Sequence, residues 1–553
     1  MTDTLAPQAA APTGHKQHLG WALVLICMAQ LMVVLDSTIA NIALPFIGKD
    51  LSIAPGNLQW IVTGYALAFG GLLLLGGRLG DLYGRRRVFM LGVFIFAVAS
   101  GLGGFAQNET MLLSSRALQG LGAAIASPTA LALITTTFPA GASRNRAFSV
   151  YAAMSGVGAA VGLLLGGWLT DSNLHLFGAD VHGWRLTFLI NVPIGLLAAF
   201  FAPRLLNESE SHPGQLDLPG AVTGTLGLVS LVYGISHAGT PDAAGHTHWA
   251  SWETYLFLSA AAILLTAFIA IERRVEHPLL PIRILANRTR GVAFIAMMLV
   301  PAAMFSMFFF LSQFIQNVMG YSPLQAGIAF IPFPFAMVFG AALSSKLVAK
   351  VDPRFLAGTG TAFAGISLFF FHRISVNDSA QNIYHLIGKQ AANGHPVHLG
   401  DTVNYWSSIF PFIALMAFGM ALVFIPMTLS AVHGIDERDS GIGSGVLNTM
   451  QQLGGALGLA VLATVAFGSI GGYASDLINK VQHLAPAGGP PTPAIQTASH
   501  QLIYQAGFTH GSTIAFLVGA FMIWTASVIV WSFLSVSHSE LQADGAHEPM
   551  AVA

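Results

Sequence analysis

Residues 19–48 read LGWALVLICMAQLMVVLDSTIANIALPFIG, an apolar run interrupted by a single charged residue, Asp36. This run is longer than the roughly 20 residues that an α-helix needs to cross a hydrocarbon core of about 30 Å. The whole chain of 553 residues has the same character, because 54% of its residues are hydrophobic and only 8% are charged. A water-soluble protein of this size carries more charge on its surface, so we expect a helical membrane protein.

Fourteen apolar runs in all are long enough to span a membrane, with centres near residues 30, 68, 97, 125, 160, 194, 228, 262, 303, 333, 363, 418, 456 and 521. Basic residues in the connections between spans favour the cytoplasm. Of the 23 Lys and Arg, 17 lie on the side of the N-terminus and 5 on the opposite side. This asymmetry predicts a multi-pass protein of the cytoplasmic (plasma) membrane with both termini in the cytoplasm.

Two sequence repeats indicate that the chain contains two related halves. The Gly-x3-Gly spacing of span 5 recurs in span 13, and GRLGDLYGRRR after span 2 has a weaker counterpart, SKLVAKVDPR, after span 10. Duplicated bundles are common in transporter folds. We therefore predict an all-α polytopic fold of two six-helix bundles with an inserted two-helix hairpin. The predicted parts are a cytoplasmic N-terminal tail (1–18), the first bundle (19–205), the hairpin with its flanking cytoplasmic loops (206–290), the second bundle (291–533) and a cytoplasmic C-terminal tail (534–553).

Two charged residues stand out inside the spans. Asp36 is the only carboxylate well within an apolar run, and Arg116 is the only base. Counting 1.5 Å of rise per residue from the span ends places both at a similar depth in the outer half of the membrane. An ionised Asp at mid-membrane costs on the order of 3 kcal/mol, so it needs a cation, a water-filled cavity or a proton. The two residues are predicted to be a protonation switch, and the alternative is a static ion pair that only assembles the helices.

Four stretches of the chain resemble signatures of one transporter family. LDSTIANIALP (Leu35 to Pro45) is similar to the first-helix signature of the fourteen-helix drug:proton antiporters, and GRLGDLYGRRR (Gly77 to Arg87) to the loop signature of the whole major facilitator superfamily. LLSSRALQGLGAA (Leu112 to Ala124) resembles the fourth-helix signature, and WRLTFLINVPIG (Trp184 to Gly195) a stretch typical of this branch. The chain thus resembles the multidrug or quaternary-ammonium resistance exporters of that family.

The resemblance implies the major facilitator fold and proton-driven efflux by antiport, with amphiphilic drugs, antibiotics or related small molecules as substrates and alternating access as the mechanism. Asp36 and Arg116 are then the proton-coupling residues. One departure concerns span 5, where Leu163 stands at the place of a proline in the antiporter signature. A proline would bend the helix, and its loss leaves proton-coupled import of a small metabolite as an alternative function.

Further site residues follow from the motifs and from polar positions in the spans. The loop after span 2 is predicted to be a conformational latch between the halves on the cytoplasmic side, as the resemblance implies; these charges could also serve orientation alone. Its residues are Gly77, Gly80, Asp81, Gly84, Arg85, Arg86 and Arg87. A helix-packing seam is predicted at Gly158, Gly162, Gly166 and Gly167. Candidates for a substrate cavity are Asn41, Trp60, Tyr65, Gln119, Gln313, Asn448, Gln451 and Gln452.

The expected partners are a small amphiphilic substrate, protons and the lipid bilayer. The chain has no G-x4-G-K-[ST] loop for nucleotide phosphates, so we expect no ATP and no cofactor, with the proton gradient as the energy source. We also expect no enzymatic activity, no nucleic acid partner and a monomer. The 19 histidines lie mostly in loops or near span ends, without Cys, Asp or Glu at ligand spacing, so no metal site is predicted.

Overall fold

The computed structural model describes residues 19–139, 141–172, 174–176, 179–209, 215–241, 246–435, 440–484 and 492–540. Fourteen helices within these ranges are long and apolar enough to cross a membrane, and every predicted span centre lies in its own helix. The all-α, fourteen-helix prediction is therefore confirmed. The helices are α1 Leu19–Asp50, α2 Pro55–Tyr83, α3 Arg85–Gly104, α4 Glu109–Thr137, α5 Ala142–Asp171, α6 Gly183–Leu205, α7 Leu218–Gly239, α8 Trp252–Glu272, α9 Arg288–Val318, α10 Pro323–Leu347, α11 Pro353–His372, α12 Tyr405–Val432, α13 Ile442–Leu484 and α14 Pro493–Phe533.

A few short elements lie between the long helices. Two antiparallel strands, β1 Leu174–Leu176 and β2 Ala179–Val181, form a hairpin between α5 and α6. Short helices cover Ile282–Ala286 and Ala380–Asn393, and a 3₁₀ turn covers Leu399–Thr402. The predicted N-terminal tail and residues 541–553 of the predicted C-terminal tail lie outside the described residues. We call the face at which α1 begins the N face, and the opposite one the far face.

The helices α1–α6 and α9–α14 pack in the same way. α3 lies against α4 and α6, as α11 lies against α12 and α14, while α5 runs along α1 as α13 runs along α9. Glycines allow both close approaches, because a helix can come nearest where no side chain intervenes. Gly162 of α5 meets Thr38 of α1, and Gly458 of α13 meets Ala302 of α9. The two bundles are thus built on one plan.

The two bundles meet along α2 and α13 on one side and along α5 and α10 on the other. On the first side, Gly70 of α2 faces Gln452 of α13. On the second, Gly167 of α5 faces the backbone of Pro323, the first residue of α10. Because Gly167 lies near the end of α5 and Pro323 at the start of α10, this second contact lies at the far face.

The hairpin α7–α8 lies over the seam between α2 and α13. Val232 of α7 belongs to a hydrophobic cluster that also contains Leu67 of α2 and Ala456 of α13. Nearer the far face, the hydroxyl of Thr464 in α13 donates to the carbonyl oxygen of Ile235 at 3.0 Å. The sequence predicted the hairpin as an insertion, and the structure adds that it contacts both bundles.

Helices α13 and α14 extend well beyond a membrane. They have 43 and 41 residues, which at 1.5 Å per residue makes each about 60 Å long, roughly twice the hydrocarbon thickness. Their far ends pack with the helix Ala380–Asn393 in what we call the far-face cap. Within it, the Gln505 side chain accepts from the backbone N–H of Leu399 at 2.9 Å and donates to the carbonyl oxygen of Asn317 at 2.8 Å. The sequence analysis did not predict this cap.

The Gly458 contact can be tested by Gly458→Ala. A Cβ at this position would lie 2.1 Å from the Cβ of Ala302, so α13 must move away from α9. Overpacking of this kind costs about 1–3 kcal/mol, and we expect a lower Tm for the purified protein. Gly472 of the same helix has nothing within 4 Å of its Cβ position, so Gly472→Ala should keep or raise the Tm. Equal losses in both variants would contradict the packing described here.

Candidate functional site

Asp36 and Arg116 form an ion pair inside the first bundle. The Arg116 Nη1 and Asp36 Oδ2 atoms are 2.5 Å apart, and the two side chains are 1% and 2% exposed. The pair joins α1 to α4, which the sequence could only suggest from matching depth. Because both charges are removed from solvent, their interaction is screened far less than that of a surface pair.

The Asp36 carboxylate has two further donors. Its Oδ1 atom accepts from Gln119 Nε2 at 2.9 Å and from Asn191 Nδ2 at 3.2 Å. Both amides also donate to the hydroxyl oxygen of Ser100, at 2.9 and 3.1 Å, and that hydroxyl in turn donates to the carbonyl oxygen of Phe188 at 2.8 Å. The carboxylate therefore lies in a closed network contributed by α1, α3, α4 and α6.

Arg116 is held by more than the carboxylate. Its Nε donates to the carbonyl oxygen of Ile61 in α2 at 2.8 Å, and its Nη1 donates to Gln119 Oε1 at 2.9 Å. The guanidinium carbon lies 4.4 Å from the centroid of the Tyr65 ring, a distance at which the ring face attracts a cation. If Asp36 were neutralised, Arg116 would still have these three partners.

Two members of the network, Ser100 and Asn191, were missed by the sequence analysis. Asn191 lies within the WRLTFLINVPIG stretch, and an amide in an otherwise apolar span was a signal that could have found it. Ser100 gave no such signal, because small hydroxyl residues are common in membrane helices. Gln119 and Tyr65, predicted for a substrate cavity, are 0% and 3% exposed. In this conformation they belong to the Asp36 network instead.

The remaining cavity candidates do not converge on one site. Trp60 of α2 packs against Tyr233 of the hairpin, with ring centroids 6.0 Å apart. The Asn41 side-chain amide donates to the carbonyl oxygen of Ser37 at 2.9 Å. The backbone carbonyl oxygen of Asn41 accepts from the Ser312 hydroxyl at 3.0 Å across the bundle interface. The side-chain amide of Gln313, in α9, is buried and has no hydrogen-bond partner among the described groups.

Three further candidates, Asn448, Gln451 and Gln452, lie on α13 beside the seam with α2. Asn448 is exposed and donates to the carbonyl oxygen of Ser444 at 3.1 Å. Gln451 and Gln452 are half-buried, and Gln452 approaches Gly70. Of the eight residues, these three are best placed to line an opening between the bundles.

The charged loop between α2 and α3 has its contacts within the N-terminal part of the chain. Asp81 binds Arg85 at 3.1 Å, while Arg86 and Arg87 lie 3.5 and 3.6 Å from the Glu208 carboxylate. Gly84 has a φ of 95°, which a residue with a side chain rarely adopts. These ion pairs lie within the first bundle and the segment that follows it. The role of the loop as a latch between the halves stays a prediction.

Three of the four glycines predicted as a helix-packing seam, Gly158, Gly162 and Gly166, face α1. Gly158 approaches Leu31 and Val34, and Gly166 approaches Ile39, so the contact runs along the part of α1 that carries Asp36. Gly167 points elsewhere, toward α10. The helix is unbroken from Ala142 to Asp171, as expected where no proline interrupts it, and α5 thus connects the Asp36 helix with the second bundle.

The network predicts a role for Asn191 in stability. Asn191→Ala removes a donor to Asp36 and to Ser100 and leaves buried acceptors short of one bond, which costs about 1–3 kcal/mol. We expect a lower Tm in detergent. Asn448→Ala is the matched control, because that exposed amide bonds only within its own helix, and its Tm should equal the parent's. An unchanged Tm for Asn191→Ala would show that the hydrogen bonds of Asn191 to Asp36 and Ser100 do not stabilise the folded protein.

The chain has relatives among known protein families and proteins. Residues 26–459 match the Major Facilitator Superfamily. The chain is 35% identical over 527 residues to the puromycin resistance protein pur8 of Streptomyces alboniger, covering 95% of this chain and 93% of that protein. It is 36% identical over 483 residues to the cephamycin export protein CmcT of Amycolatopsis lactamdurans, covering 86% and 91%.

A solved structure with the same fold is that of a bacterial homologue of the human lysosomal transporter Spinster, in an inward-facing and unoccupied conformation. The TM-score is 0.62 at 18% identity, with 94% of this chain and 98% of that chain covered. At this identity the likeness shows the fold alone. The superfamily match and the two relatives above each extend over most of this chain. The chain therefore belongs to the Major Facilitator Superfamily and is a membrane transporter, not an enzyme.

Proposed function

We propose that this transporter exports small amphiphilic compounds from the cytoplasm in exchange for protons. The observation that carries the proposal is the single carboxylate, Asp36, buried in the first bundle and held by Arg116, Gln119 and Asn191. Ionisable groups buried in membrane helices are expensive and mark ion or proton pathways. A residue kept only for packing could be apolar at lower cost.

The relatives support export and a class of substrate. One is named for puromycin resistance, one for cephamycin export, and another, 33% identical over 465 residues, is a lincomycin resistance protein of Streptomyces lincolnensis. Resistance by a membrane transporter is achieved by moving the compound out of the cell. We infer that antibiotics or similar secondary products are the substrates of this chain.

Proton binding to Asp36 would weaken the ion pair with Arg116, which is one of the contacts that hold α1 in place. The neutral carboxyl no longer attracts Arg116, which keeps its bonds to Ile61 and Gln119 and its contact with the Tyr65 ring. The tie between α1 and α4 weakens, while α1 stays attached to α5 through the glycine seam. Movement of α1 would then pass to α10 through Gly167.

Alternating access requires that the bundles separate at one face while they close at the other. The contacts of Gly167 with Pro323 and of Ser312 with Asn41 join the bundles toward the far face. At the N face, the ion pairs of the charged loop include those of Asp81 with Arg85 and of Arg86 with Glu208, and the Asp81 side chain is 43% exposed. We infer a conformation that is closed at the far face, and the distribution of basic residues predicts that the N face lies in the cytoplasm.

The energy for this cycle would come from the proton gradient of the plasma membrane. One proton moving inward releases about 2.3 kcal/mol per 100 mV of membrane potential, without nucleotide or cofactor. The substrate would enter between the bundles near Asn448 and Gln451. A monomer with both termini in the cytoplasm suffices for this mechanism.

Asp36→Asn tests the coupling. The amide is isosteric with the carboxyl but cannot exchange a proton, so substrate and proton movement should separate. In inside-out vesicles with an acidified lumen, puromycin or lincomycin should alkalinise the lumen with the parent, while Asp36→Asn should give only the background of vesicles without the protein. Asp476→Asn is the control, because that carboxylate is 61% exposed and paired with Lys480. Acidification of the lumen by the parent would indicate import, and parent-like alkalinisation by Asp36→Asn would refute the coupling role.

A double-mutant cycle tests the ion pair. Arg116→Ala leaves the buried Asp36 carboxylate without its cation, which costs about 3–5 kcal/mol, and should lower the Tm strongly. Asp36→Asn/Arg116→Ala removes both charges and should recover part of that loss. Arg373→Ala, at an exposed arginine near the far end of α11, controls for loss of an arginine. Additive losses in the double variant would mean that the two side chains do not interact in the folded protein.

A further inference from the structure

Two carboxyl groups lie buried together at the N-face end of the hairpin. Asp217 immediately precedes α7 and Glu272 is the last residue of α8, and they are only 3% and 5% exposed. Across the antiparallel hairpin, Gly227 of α7 faces Leu265 of α8 and Gly224 faces Phe268, a register that brings the start of α7, with Asp217, beside Glu272. Neither has a part in the Asp36 network, and neither was singled out by the sequence analysis.

Each carboxyl group has one oxygen bound to the backbone and one that is not. Asp217 Oδ1 accepts from the backbone N–H of Gly220 at 2.8 Å, and Glu272 Oε2 accepts from the backbone N–H of Leu280 at 2.9 Å. The other two atoms, Asp217 Oδ2 and Glu272 Oε1, are fully buried and have no hydrogen-bond donor among the described groups. Ionised carboxylates only accept hydrogen bonds, so two ionised groups would leave two buried acceptors unsatisfied next to each other.

We propose that Asp217 and Glu272 form a second proton-binding site, in which one proton on Glu272 Oε1 is donated to Asp217 Oδ2. A single proton satisfies both unpaired oxygens and removes the repulsion between two adjacent carboxylates, which cannot both ionise readily. Asp217 is the accepting partner, because its Oδ1 atom already caps the N-terminus of α7 through the backbone N–H of Gly220 and its Oδ2 atom is left to accept the bond from Glu272.

The surroundings of the pair carry several other charges. Next to Glu272 is a cavity of about 510 Å³ at the N face, bounded by the N-face end of α2, the segment after α8 and the start of α13. Two glutamates face it, Glu272 itself and Glu276, and the basic side chains that line it are Arg78, Arg273, Arg283 and His277. None of these basic groups is a hydrogen-bond donor to the two unpaired oxygens. These cations affect the electrostatic potential at the pair, but none of them takes the place of the proton as the donor to the two unpaired oxygens.

The pair connects the first turn of α7, the end of α8 and the segment after α8. Through their backbone partners, Asp217 holds the first turn of α7, and Glu272 holds the segment that leads from α8 toward α9. Loss of the proton at high pH would place two like charges at this junction and loosen the base of the hairpin. The proton is held at low pH and is lost as the pH rises. This site does not depend on the transport function proposed above.

Glu272→Gln tests the site. The glutamine amide supplies a permanent donor to Asp217 Oδ2, so the variant should keep the parent's Tm at about pH 7 and lose the parent's fall in Tm toward about pH 9. Glu272→Ala leaves Asp217 unpaired and should lower the Tm by several degrees at every pH. Glu276→Gln, an exposed carboxyl on the same cavity, should follow the parent. Infrared spectra should show a protonated carboxyl band at neutral pH that Glu272→Gln loses and Glu276→Gln retains.

Two results would overturn the proposal. A Tm loss for Glu272→Gln as large as that for Glu272→Ala, with the infrared band unchanged, would show that no proton is shared. A rise in the parent's Tm on addition of Na⁺, Mg²⁺ or Ca²⁺ that is absent in Glu272→Gln would show that the two carboxylates hold a metal cation instead. Because both readouts use the purified protein without substrate, they give the same answer whether or not the Asp36 variants impair export.

Discussion

A carboxylate buried among apolar helices must find donors, and this requirement organises the first bundle. Asp36 obtains them from residues 80, 83 and 155 positions further along the chain, so α1, α4 and α6 can pack in few other ways. Arg116 extends the constraint to α2 through the Ile61 carbonyl. The polar network thus supplies specificity to helices that hydrophobic contact alone would leave free to slide or rotate.

The same helix carries the site and the connection to the rest of the molecule. One face of α1 bears Asp36, another packs on the glycines of α5, and its far end meets α9 through Asn41 and Ser312. Under the coupling that we propose, a change in the charge of Asp36 would act on a helix that already contacts both bundles. No separate relay between the site and the interface is needed.

Hydropathy and charge were sufficient to predict the helices, because membrane burial is a local property of each segment. Depth along the helix also allowed Asp36 and Arg116 to be considered together. Asn191 and Ser100 were missed because their importance lies in which helices touch, and sequence spacing does not encode that. The pairing of the charged loop with Glu208 was missed for the same reason, because the sequence does not show which parts of the chain lie next to the loop. The far-face cap was missed because polar helices beyond the bilayer have the composition of loops.

The position of the hairpin makes the two sides of the molecule unequal toward lipid. Helix α7 fills the groove where α2 meets α13, whereas Val161 of α5 and Val338 of α10, at the other interface, are 40% and 60% exposed. A hydrophobic compound dissolved in the bilayer therefore meets the hairpin on one side of the transporter and the exposed interface of α5 and α10 on the other. Under the export that we propose, the hairpin would obstruct lateral entry from the membrane along the seam of α2 and α13.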